Sequence, residues 1–328
     1  MNRTLNTSKQ IKEAQSLFDK ILNIIITKYA RYIKNDKVYL RWKFRFAMGY
    51  FFDIERPKTF YEKLQWLKLY NQKTEYTTMV DKLSVKEYVA SKIGWQYIIP
   101  TLKVYNNAAE INFDELPNQF VLKCTHDSGG IVICKDKRNI NKKETVEKLR
   151  KSLNTNFYWQ TREWPYKNVK PKIIAEEYME EGNQPSLYDY KVLTFDGKVK
   201  LIEVHIGRFT SNHTQDFYDR DWNKTTITQG SFGKVSDVSI ERPTLLEEMI
   251  RLSELLAENI PHVRIDWYIV NNKLYFGEIT FFDGSGFDPW DRYEDDCMMG
   301  SWITLPEKTI FHESTKKCFG NEAIDMFY

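Results

Sequence analysis

The length, composition and charge of the chain exclude several classes of function. Its 328 residues exceed the usual size of one domain, so we expect two or three subdomains with sizeable cores. The chain has 48 Lys and Arg against 45 Asp and Glu, a net charge of +3, and its basic runs are short and mixed with acids. We therefore expect no nucleic-acid partner.

The cysteines and the start of the chain favour a reducing compartment. The four cysteines form no CxxC pair and have no His at zinc spacing; they are Cys124, Cys134, Cys297 and Cys318. Neither a zinc site nor a disulfide framework is expected. The N-terminus lacks the apolar core of a signal peptide, and the best apolar run, at 21–26, is far shorter than the ~20 residues that span a bilayer. We expect a soluble, cytoplasmic protein.

Helices are predicted first along the chain. Residues 9–50 carry helical periodicity, and one face consists of Ile11, Ala14, Phe18, Ile21 and Ile25. The stretch 18–50 is also basic and aromatic, which suits contact with a membrane surface, although a plain amphipathic helix is the more common explanation. Pro57 opens a second helix that ends at Asn71, and Asp81 with Lys82 begins a third that Gly94 closes.

A change to mixed α/β patterning follows, and residues 120–134 form a strand, a small-residue turn and a second strand. Lys123 lies inside the apolar first strand, which is costly unless the lysine meets an anion. The turn Ser128, Gly129 and Gly130 lets backbone N–H groups approach phosphate oxygens. The segment predicts a phosphate clamp, and the alternative is an ordinary Gly-Gly hairpin turn with Lys123 facing solvent. Its spacing fits neither a Walker loop nor a dinucleotide fingerprint.

Two further strand segments carry charged residues. After a helix at 142–153 and an aromatic loop at 157–168, a buried strand ends at Glu176 and Glu177, where a purine could pair with backbone and carboxylate. The alternative is a strand that ends in solvated acids. The next strand, Asp189–Phe195, turns back at a type I′ signal, Asp196-Gly197, and Lys191 shares a face with Asp189.

A long polar segment at 207–242 follows, and we predict that it is a substrate loop or lid. It contains the aromatic-acid cluster FYDRDW, in which Asp219, Asp221 and Trp222 are candidate substrate contacts. An amphipathic helix at 245–260 then leads into the most informative stretch of the chain.

That stretch, 262–290, predicts a β-hairpin with its turn at Asn271-Asn272. The period of two places Arg264 and Asp266 on one side of the first strand, and Glu278 and Thr280 on one side of the second. Two carboxylates on a shared face repel unless a cation lies between them, and oxygen ligands beside an arginine suit Mg²⁺ that carries a polyphosphate. The alternative is an exposed hairpin with cross-strand ion pairs.

Taken together and in this order, these motifs resemble the ATP-grasp superfamily. The segments that carry the resemblance are Asp81-Lys82, FVLKCTHDSGG, IIAEEYM, DYKVLTFDGK, FYDRDW, and RIDWY with FGEITFFDGSGF. More narrowly, they are similar to the teichuronopeptide-biosynthesis type found in bacterial polysaccharide loci, over roughly residues 52–306. The resemblance implies an α+β ATP-grasp fold in which two α/β subdomains grip ATP behind a helical N-terminal region. The implied division is 1–50, 51–115, 116–180 and 181–328.

The resemblance also implies roles for individual residues. Lys82 and Lys123 would contact ATP phosphates, Ser128, Gly129 and Gly130 would cover them, and Glu176 or Glu177 would lie at the adenine and ribose. Lys191 and Arg264 would hold the γ-phosphate and the acyl phosphate formed from it. Asp266 and Glu278 would bridge Mg²⁺. Thr280 stands where many ATP-grasp enzymes have Asn, so water is expected in place of a third protein ligand, and Ser285 and Gly286 would offer backbone donors to the reacting carboxylate.

The implied activity is an ATP- and Mg²⁺-dependent carboxylate–amine ligase that forms an amide through an acyl phosphate. Its implied substrates are a carboxylate and an amine, on a saccharide or sugar nucleotide of a bacterial capsular or cell-surface polysaccharide. Peripheral association with membrane-bound polysaccharide machinery is also expected. The alternatives are a glycosyltransferase or glycan-binding protein, because aromatic segments at 157–166 and 217–222 could stack on sugars, and a kinase that stops after phosphoryl transfer.

Overall fold

The computed structural model describes most of the chain from residue 17 to residue 310. The described ranges are 17–180, 182, 187–207, 210, 212–230, 234–237 and 239–310. Predictions that concern residues 1–16, Cys318 or the remainder of the polar segment 207–242 lie outside these ranges.

The N-terminal region is helical, as predicted. α1 (Leu17–Lys28) contacts α2 (Asp36–Met48), which Asn35 caps and which ends at Gly49 with a positive φ of 85°. Phe18 and Ile21 lie on one face of α1, but this face is exposed to solvent and does not pack on the core. Within the described ranges, each helix falls short of the length and apolarity that are needed to cross a bilayer.

Three further helices follow α2 in the chain. They are α3 (Phe60–Tyr70), α4 (Glu75–Val80) and α5 (Ser84–Ile93). α3 begins at Phe60 and not at Pro57, because Thr59 and Glu62 form a capping box that satisfies the first N–H groups. Gly94 ends α5 with a φ of 107°, as the sequence predicts.

The first sheet has four strands in the order β1-β4-β2-β3, and all its pairs are antiparallel. Its strands are β1 (Thr101–Tyr105), β2 (Phe120–Cys124), β3 (Ile131–Cys134) and β4 (Ile173–Glu177). Leu149 of α6 (Lys142–Leu153) lies in the same hydrophobic core as Phe120 and Leu122 of β2. β1 pairs with β4, so the sheet begins before residue 116, where the implied small subdomain starts.

The second sheet has five antiparallel strands in the order β7-β6-β5-β8-β9. Its strands are β5 (Asp189–Phe195), β6 (Lys198–Ile206), β7 (Thr214–Asp219), β8 (His262–Val270) and β9 (Lys273–Thr280). The described part of 207–242 is therefore not all loop, because β7 lies within it as an edge strand. α8 (Leu246–Leu256) packs against this sheet, and α9 (Tyr293–Ser301) packs on α3.

Both predicted two-residue turns of this sheet are present. Asn271 and Asn272 have φ values of 50° and 54°, and Asp196 and Gly197 have 46° and 75°. Positive φ at both central positions is typical of the type I′ turns that match the twist of a hairpin.

The aromatic segment at 157–168 is an internal support and not an exposed loop. It contains α7 (Tyr158–Thr161) and a short 3₁₀ helix, Trp164–Asn168, and the rings of Tyr158 and Trp164 are buried. Arg162 between them is buried as well, with Nε 2.7 Å from Asp36 Oδ1. Its guanidinium therefore ties this segment to α2.

Candidate functional site

The centre of the candidate site is one face of the second sheet, where β5, β8 and β9 lie side by side. The register places Lys191 opposite Asp266, and Lys191 Nζ lies 2.6 Å from Asp266 Oδ2. The same ammonium lies 3.0 Å from Asp189 Oδ2, because Asp189 and Lys191 are two residues apart on one strand. All three side chains are buried.

Arg264 joins three carboxylates and a hydroxyl on this face. Its Nε donates to Asp266 Oδ1 at 2.7 Å and its Nη2 to Asp266 Oδ2 at 2.9 Å, which is a bidentate arrangement. Nη2 also lies 3.4 Å from Glu278 Oε1 and 3.3 Å from Thr280 Oγ1, and Nη1 donates to Asp283 Oδ1. The four predicted hairpin residues are thus brought together, and Asp283 joins them without having been predicted.

Charge and burial set the protonation of this cluster. Burial would raise the pKa of Asp266, but Arg264 and Lys191 outweigh burial and hold the pKa well below its usual value. Burial disfavours the charge on Arg264, yet Asp266 and Asp283 raise its pKa well above the usual value. Burial raises the pKa of Asp283, and Arg264 offsets this only in part. The pKa values of Asp266 and Asp283 are therefore shifted in opposite directions.

Glu203 on β6 extends the cluster to a further strand and was not predicted. It lies opposite Lys191 in register and is buried. Its Oε1 lies 2.5 Å from His205 Nε2 and accepts from Gln215 Nε2 at 2.6 Å. Burial would raise the pKa of Glu203, but the contact with His205 and the charges of Lys191 and Arg264 lower it to about 2.

A β-bulge lets Glu278 reach away from the sheet. The β8–β9 register shifts between residues 265 and 267, so Gly277 and Glu278 both lie opposite Asp266. A Cβ on Gly277 would lie 3.1 Å from the Asp266 carbonyl oxygen, so only glycine fits there without displacement. The Glu278 side chain is 35% exposed, and its Oε2 lies 4.0 Å from Lys82 Nζ. Glu278 therefore connects the second sheet to the segment that precedes α5.

The first sheet contributes a second charged group. Glu176 on β4 forms ion pairs with two lysines, with Lys86 Nζ 2.5 Å from Oε1 and Lys123 Nζ 2.5 Å from Oε2. Burial would raise the pKa of Glu176, but Lys123 and Lys86 together lower it below its usual value. The anion that Lys123 was expected to meet is therefore, in this structure, the carboxylate of Glu176. Lys86 was not predicted.

Asp127 holds the Gly-rich turn in place. The Gly130 N–H donates to Asp127 Oδ1 at 3.0 Å, and Ser152 Oγ donates to Oδ2. Lys82 Nζ donates to the carbonyl oxygen of Asp127. A Cβ on Gly130 would overlap Ser152 Oγ and the Cys124 side chain, so close packing requires glycine at this position.

A cavity of about 670 Å³ lies between the two sheets. Six of the residues predicted to bind ATP or Mg²⁺ line it, namely Lys82, Lys123, Ser128, Glu176, Glu177 and Glu278. Its apolar lining includes Ile131, Ile133, Tyr178, Met179 and Leu187. An apolar wall beside convergent charges suits a ligand that carries a flat ring at one end and anionic groups at the other.

The predicted contacts in FYDRDW lie elsewhere. Asp219 Oδ1 accepts from the N–H groups of Asp221 and Asn223 at 2.9 and 2.8 Å, which closes the turn after β7. The Trp222 ring stacks on Tyr218 with centroids 4.4 Å apart and is nearly buried. None of these residues lines the cavity between the sheets. A substrate role for Asp219, Asp221 and Trp222 stays a prediction.

The turn Asp283–Gly286 is held from behind by α3. Lys68 Nζ donates to the Ser285 carbonyl at 2.7 Å, and Gln65 Nε2 donates to the Gly286 carbonyl at 2.6 Å. Ser285 and Gly286 have positive φ values of 52° and 67°. The Ser285 N–H already donates to the Phe282 carbonyl at 2.8 Å. In this conformation, Ser285 therefore does not offer its N–H to a substrate, contrary to the expectation from sequence.

The donor set of the cluster is suited to a hard divalent cation. Four carboxylates lie around Arg264 and Lys191, and one of them, that of Glu278, also lies 4.0 Å from Lys82; the four are Asp189, Asp266, Glu278 and Asp283. Carboxylate oxygens are the ligands that Mg²⁺ prefers. Within the described ranges, no three His, Cys, Asp or Glu side chains form a ready metal site. Two protein carboxylates with water and phosphate oxygens remain a suitable set.

Two antiparallel sheets that enclose a lysine- and carboxylate-lined cavity define the ATP-grasp class of fold, as predicted. The chain belongs to the TupA-like ATPgrasp family, whose model matches residues 62–304. Membership of the ATP-grasp superfamily and the α+β fold with its helical N-terminal region are thereby confirmed. No curated protein matches the chain.

Several solved structures are similar. D-alanine–D-alanine ligase from Bacillus anthracis complexed with ATP is 16% identical over 68% of this chain, with a TM-score of 0.37. An L-amino acid ligase from Bacillus licheniformis is 12% identical over 82% of this chain and 57% of its own, with a TM-score of 0.38. The chain spans 57–65% of the length of the D-alanine–D-alanine ligase structures that it matches.

Proposed function

We propose that the protein is an ATP- and Mg²⁺-dependent ligase that joins a carboxylate to an amine through an acyl phosphate. The observation that carries the proposal is the cavity in which Lys82, Lys123 and Glu278 meet, with Glu278 in contact with the Arg264–Asp266 pair. An apolar pocket for a ring, cations for phosphates and carboxylates for a metal are the parts that this reaction requires.

The proposed roles of the nucleotide-binding residues follow from position. Lys82 and Lys123 contact the phosphates, and the turn Ser128, Gly129 and Gly130 covers them. Glu176 or Glu177 lies at the ribose and adenine, beside the apolar lining. Lys86 shares the carboxylate of Glu176 and would keep that group charged when Lys123 turns to a phosphate.

The proposed chemistry is centred on Arg264 and Lys191. Their charges stabilise the negative charge that develops as the γ-phosphoryl group moves to the substrate carboxylate. The amine then attacks the carbonyl carbon, a C–N bond forms, and the C–O bond to phosphate breaks as phosphate leaves with its electron pair and takes up the proton that the nitrogen loses. Asp266 and Glu278 would hold Mg²⁺, which when bound supplies charge that neutralises the phosphates.

The domain division and the substrates belong to the same proposal. We divide the chain into 1–50, 51–115, 116–180 and 181–328, and β1 of the second part joins the sheet of the third part.

The substrate carboxylate is a uronic acid or amino acid of a bacterial capsular or cell-surface polysaccharide. The enzyme works in the cytoplasm and associates peripherally with membrane-bound polysaccharide machinery. Resemblance to the teichuronopeptide-biosynthesis type supports this choice of substrate.

A sugar-stacking function receives less support. It depended on the aromatic segments at 157–166 and 217–222. Most of their rings are buried, namely Tyr158, Trp164, Phe217, Tyr218 and Trp222, and Phe157, Trp159 and Tyr166 are half-buried. Buried rings stabilise the core and offer no face to a sugar. We therefore do not propose a glycosyltransferase or glycan-binding function.

Trapping of the acyl phosphate tests the proposal. The protein is incubated with ATP, Mg²⁺, hydroxylamine and a panel of carboxylates that includes glucuronate, UDP-glucuronate and glutamate, and hydroxamate and ADP are measured together. Equal amounts of both products are expected with the correct carboxylate. A kinase would release ADP and a stable phosphorylated product without hydroxamate. Thermal protection by sugar nucleotides but not by ATP with Mg²⁺ would contradict the ligase, because saturating ATP at about 100 times its Kd should stabilise the fold by about 2.7 kcal/mol.

A further inference from the structure

The N-terminal helices expose an apolar surface that the proposed reaction does not use. We define it by six residues, Phe18, Ile21, Ile24, Ile25, Tyr32 and Trp42, and call it the N-terminal apolar surface. Each side chain is 46–67% exposed. Single exposed apolar residues are ordinary in soluble proteins, whereas a contiguous group is typical of a binding surface.

The orientation of α1 is the reverse of that in an ordinary surface helix. At 100° per residue, Phe18, Ile21, Ile24 and Ile25 fall within an arc of about 120°. This arc faces solvent, while the opposite side carries Asp19, which is buried and accepts from Arg45 of α2 at 3.3 Å. Packing on the core therefore does not explain why this face is apolar.

The region that carries this surface is also basic. Residues 17–56 contain nine Lys and Arg and four Asp and Glu, a net charge of +5, so the remainder of a +3 chain has a net charge of −2. Lys20, Lys28 and Lys34 are exposed and form no ion pair within the part of the chain that the structure describes. Apolar side chains beside unpaired lysines match the two layers of an anionic membrane surface.

A small cavity near this surface contains an arginine beside an aromatic ring. It has a volume of about 460 Å³ and is lined by Lys37, Arg41, Phe51, Phe52, Asp53 and Ile54. The Arg41 guanidinium lies 5.2 Å from the centre of the Phe51 ring. Lys37 pairs with Glu55 at 2.9 Å and Asp53 also lines the cavity, so Arg41 is the cation that a lipid phosphate would meet there, with its acyl chains against the neighbouring apolar face.

We propose that the N-terminal apolar surface docks the protein onto a bilayer that contains anionic phospholipids. α1 would lie in the plane of the interface, with Phe18 and Ile24 in the acyl boundary and the exposed lysines at the phosphates. A second copy of the chain is disfavoured, because two surfaces of net charge +5 repel. Residues 1–16 are disfavoured as a cover because their sequence has three basic residues and one acid and would add positive charge. This proposal specifies the lipid and the surface for the proposed peripheral association with membranes, and it does not depend on the ligase reaction.

Vesicle sedimentation tests the proposal with the full-length protein in the absence of nucleotide. Binding is compared between vesicles of phosphatidylcholine alone and vesicles that also contain phosphatidylglycerol. We expect binding only to the anionic vesicles, with loss of binding in Phe18→Ser/Ile24→Ser. The matched control is Trp95→Ser, which changes a residue that is 64% exposed outside this surface and should bind normally. Lys20→Ala/Lys34→Ala should weaken binding about 30-fold, because each basic residue near an anionic surface contributes about 1 kcal/mol.

The same variants distinguish a bilayer from the other molecules or segments that could cover the surface. Equal binding to both kinds of vesicle, or none to either, overturns the proposal. So does a dimer in light scattering that Phe18→Ser/Ile24→Ser dissociates, which would mean that a second copy covers the surface. If the full chain fails to bind but a variant without residues 2–16 binds, the chain covers its own surface and the proposal is again overturned. Because the substituted residues are exposed, these substitutions should leave the melting temperature unchanged. Hydroxamate formation measured without lipid tests the ligase proposal separately.

Discussion

Replacement of Arg264 by alanine should destabilise the protein as well as slow it. Arg264 is only 9% exposed and pairs with Asp266 and Asp283, both of which are buried. Removal of one partner from a buried ion pair leaves an uncompensated charge and costs about 3–5 kcal/mol. We expect a loss of this size in the free energy of unfolding, measured by urea denaturation near neutral pH. Arg264→Lys retains a charge and should lose less.

The pH dependence of this loss identifies its cause. The folded-state pKa of Asp266 is lowered, so its ion pair contributes stability above the unfolded pKa of about 3.9 and loses it as pH falls toward the folded value. The difference between wild type and Arg264→Ala should therefore be largest near neutral pH and narrow below about pH 4. A difference that stays constant with pH, or that is below about 1 kcal/mol at neutral pH, would refute the reasoning.

Kinetics of the same variant test the proposed chemistry. Loss of one preorganised electrostatic donor costs about 2.7–4 kcal/mol, so the rate at saturating ATP should fall about 10²–10³-fold. The ATP concentration that gives half of this rate should change little. If the rate at saturating ATP is unchanged and only the required concentration rises, Arg264 is a uniform binding contact.

Further variants address the metal site, the Gly-rich turn and a buried acid. Glu278→Gln and Asp266→Asn should each abolish ADP formation, and Glu278→Gln is the cleaner test because a part-exposed side chain can change without altering the melting temperature. Gly130→Ala should cost about 1–3 kcal/mol of stability by overpacking and weaken ATP binding, whereas Gly129→Ala, with no atom near its new Cβ, should leave the free energy of unfolding unchanged. Burial raises the pKa of Asp296 to about 7, so the free energy of unfolding of the wild type should fall by about 1.4 kcal/mol per pH unit as the pH rises from about 4 to 7. Asp296→Asn should lack this slope in urea titrations.

Local signals in the sequence accounted for the parts of the fold that depend on neighbours in the chain. The Asn271-Asn272 and Asp196-Gly197 turns were predicted because positive φ at two successive positions selects these residue types. The shared face of Arg264 and Asp266 was predicted because strand geometry alone determines it. β7 was missed because its six residues lie inside a polar segment and its pairing partner, β6, is not a local feature.

The unpredicted members of the site are those that tertiary structure brings in. Lys86 lies on a helix and Glu176 on a strand 90 residues later, and no spacing rule connects them. Glu203 reaches Lys191 only through the register of β5 and β6. Asp283 had a visible signal, since an acid precedes the Gly-Ser-Gly turn, but its contact with Arg264 depends on how the chain turns after β9.

The shared carboxylate of Glu176 has a consequence for selectivity between anions. If Lys123 binds a nucleotide phosphate as proposed, that phosphate must compete with an ion pair that is already 2.5 Å long and largely buried. Binding is then an exchange reaction, in which an internal competitor sets the minimum strength that an incoming anion must exceed. Chloride or a single inorganic phosphate gains too little from one lysine, whereas a polyphosphate that also reaches Lys82 gains from several contacts at once. An empty nucleotide site with this arrangement resists the abundant small anions of its surroundings without any moving part.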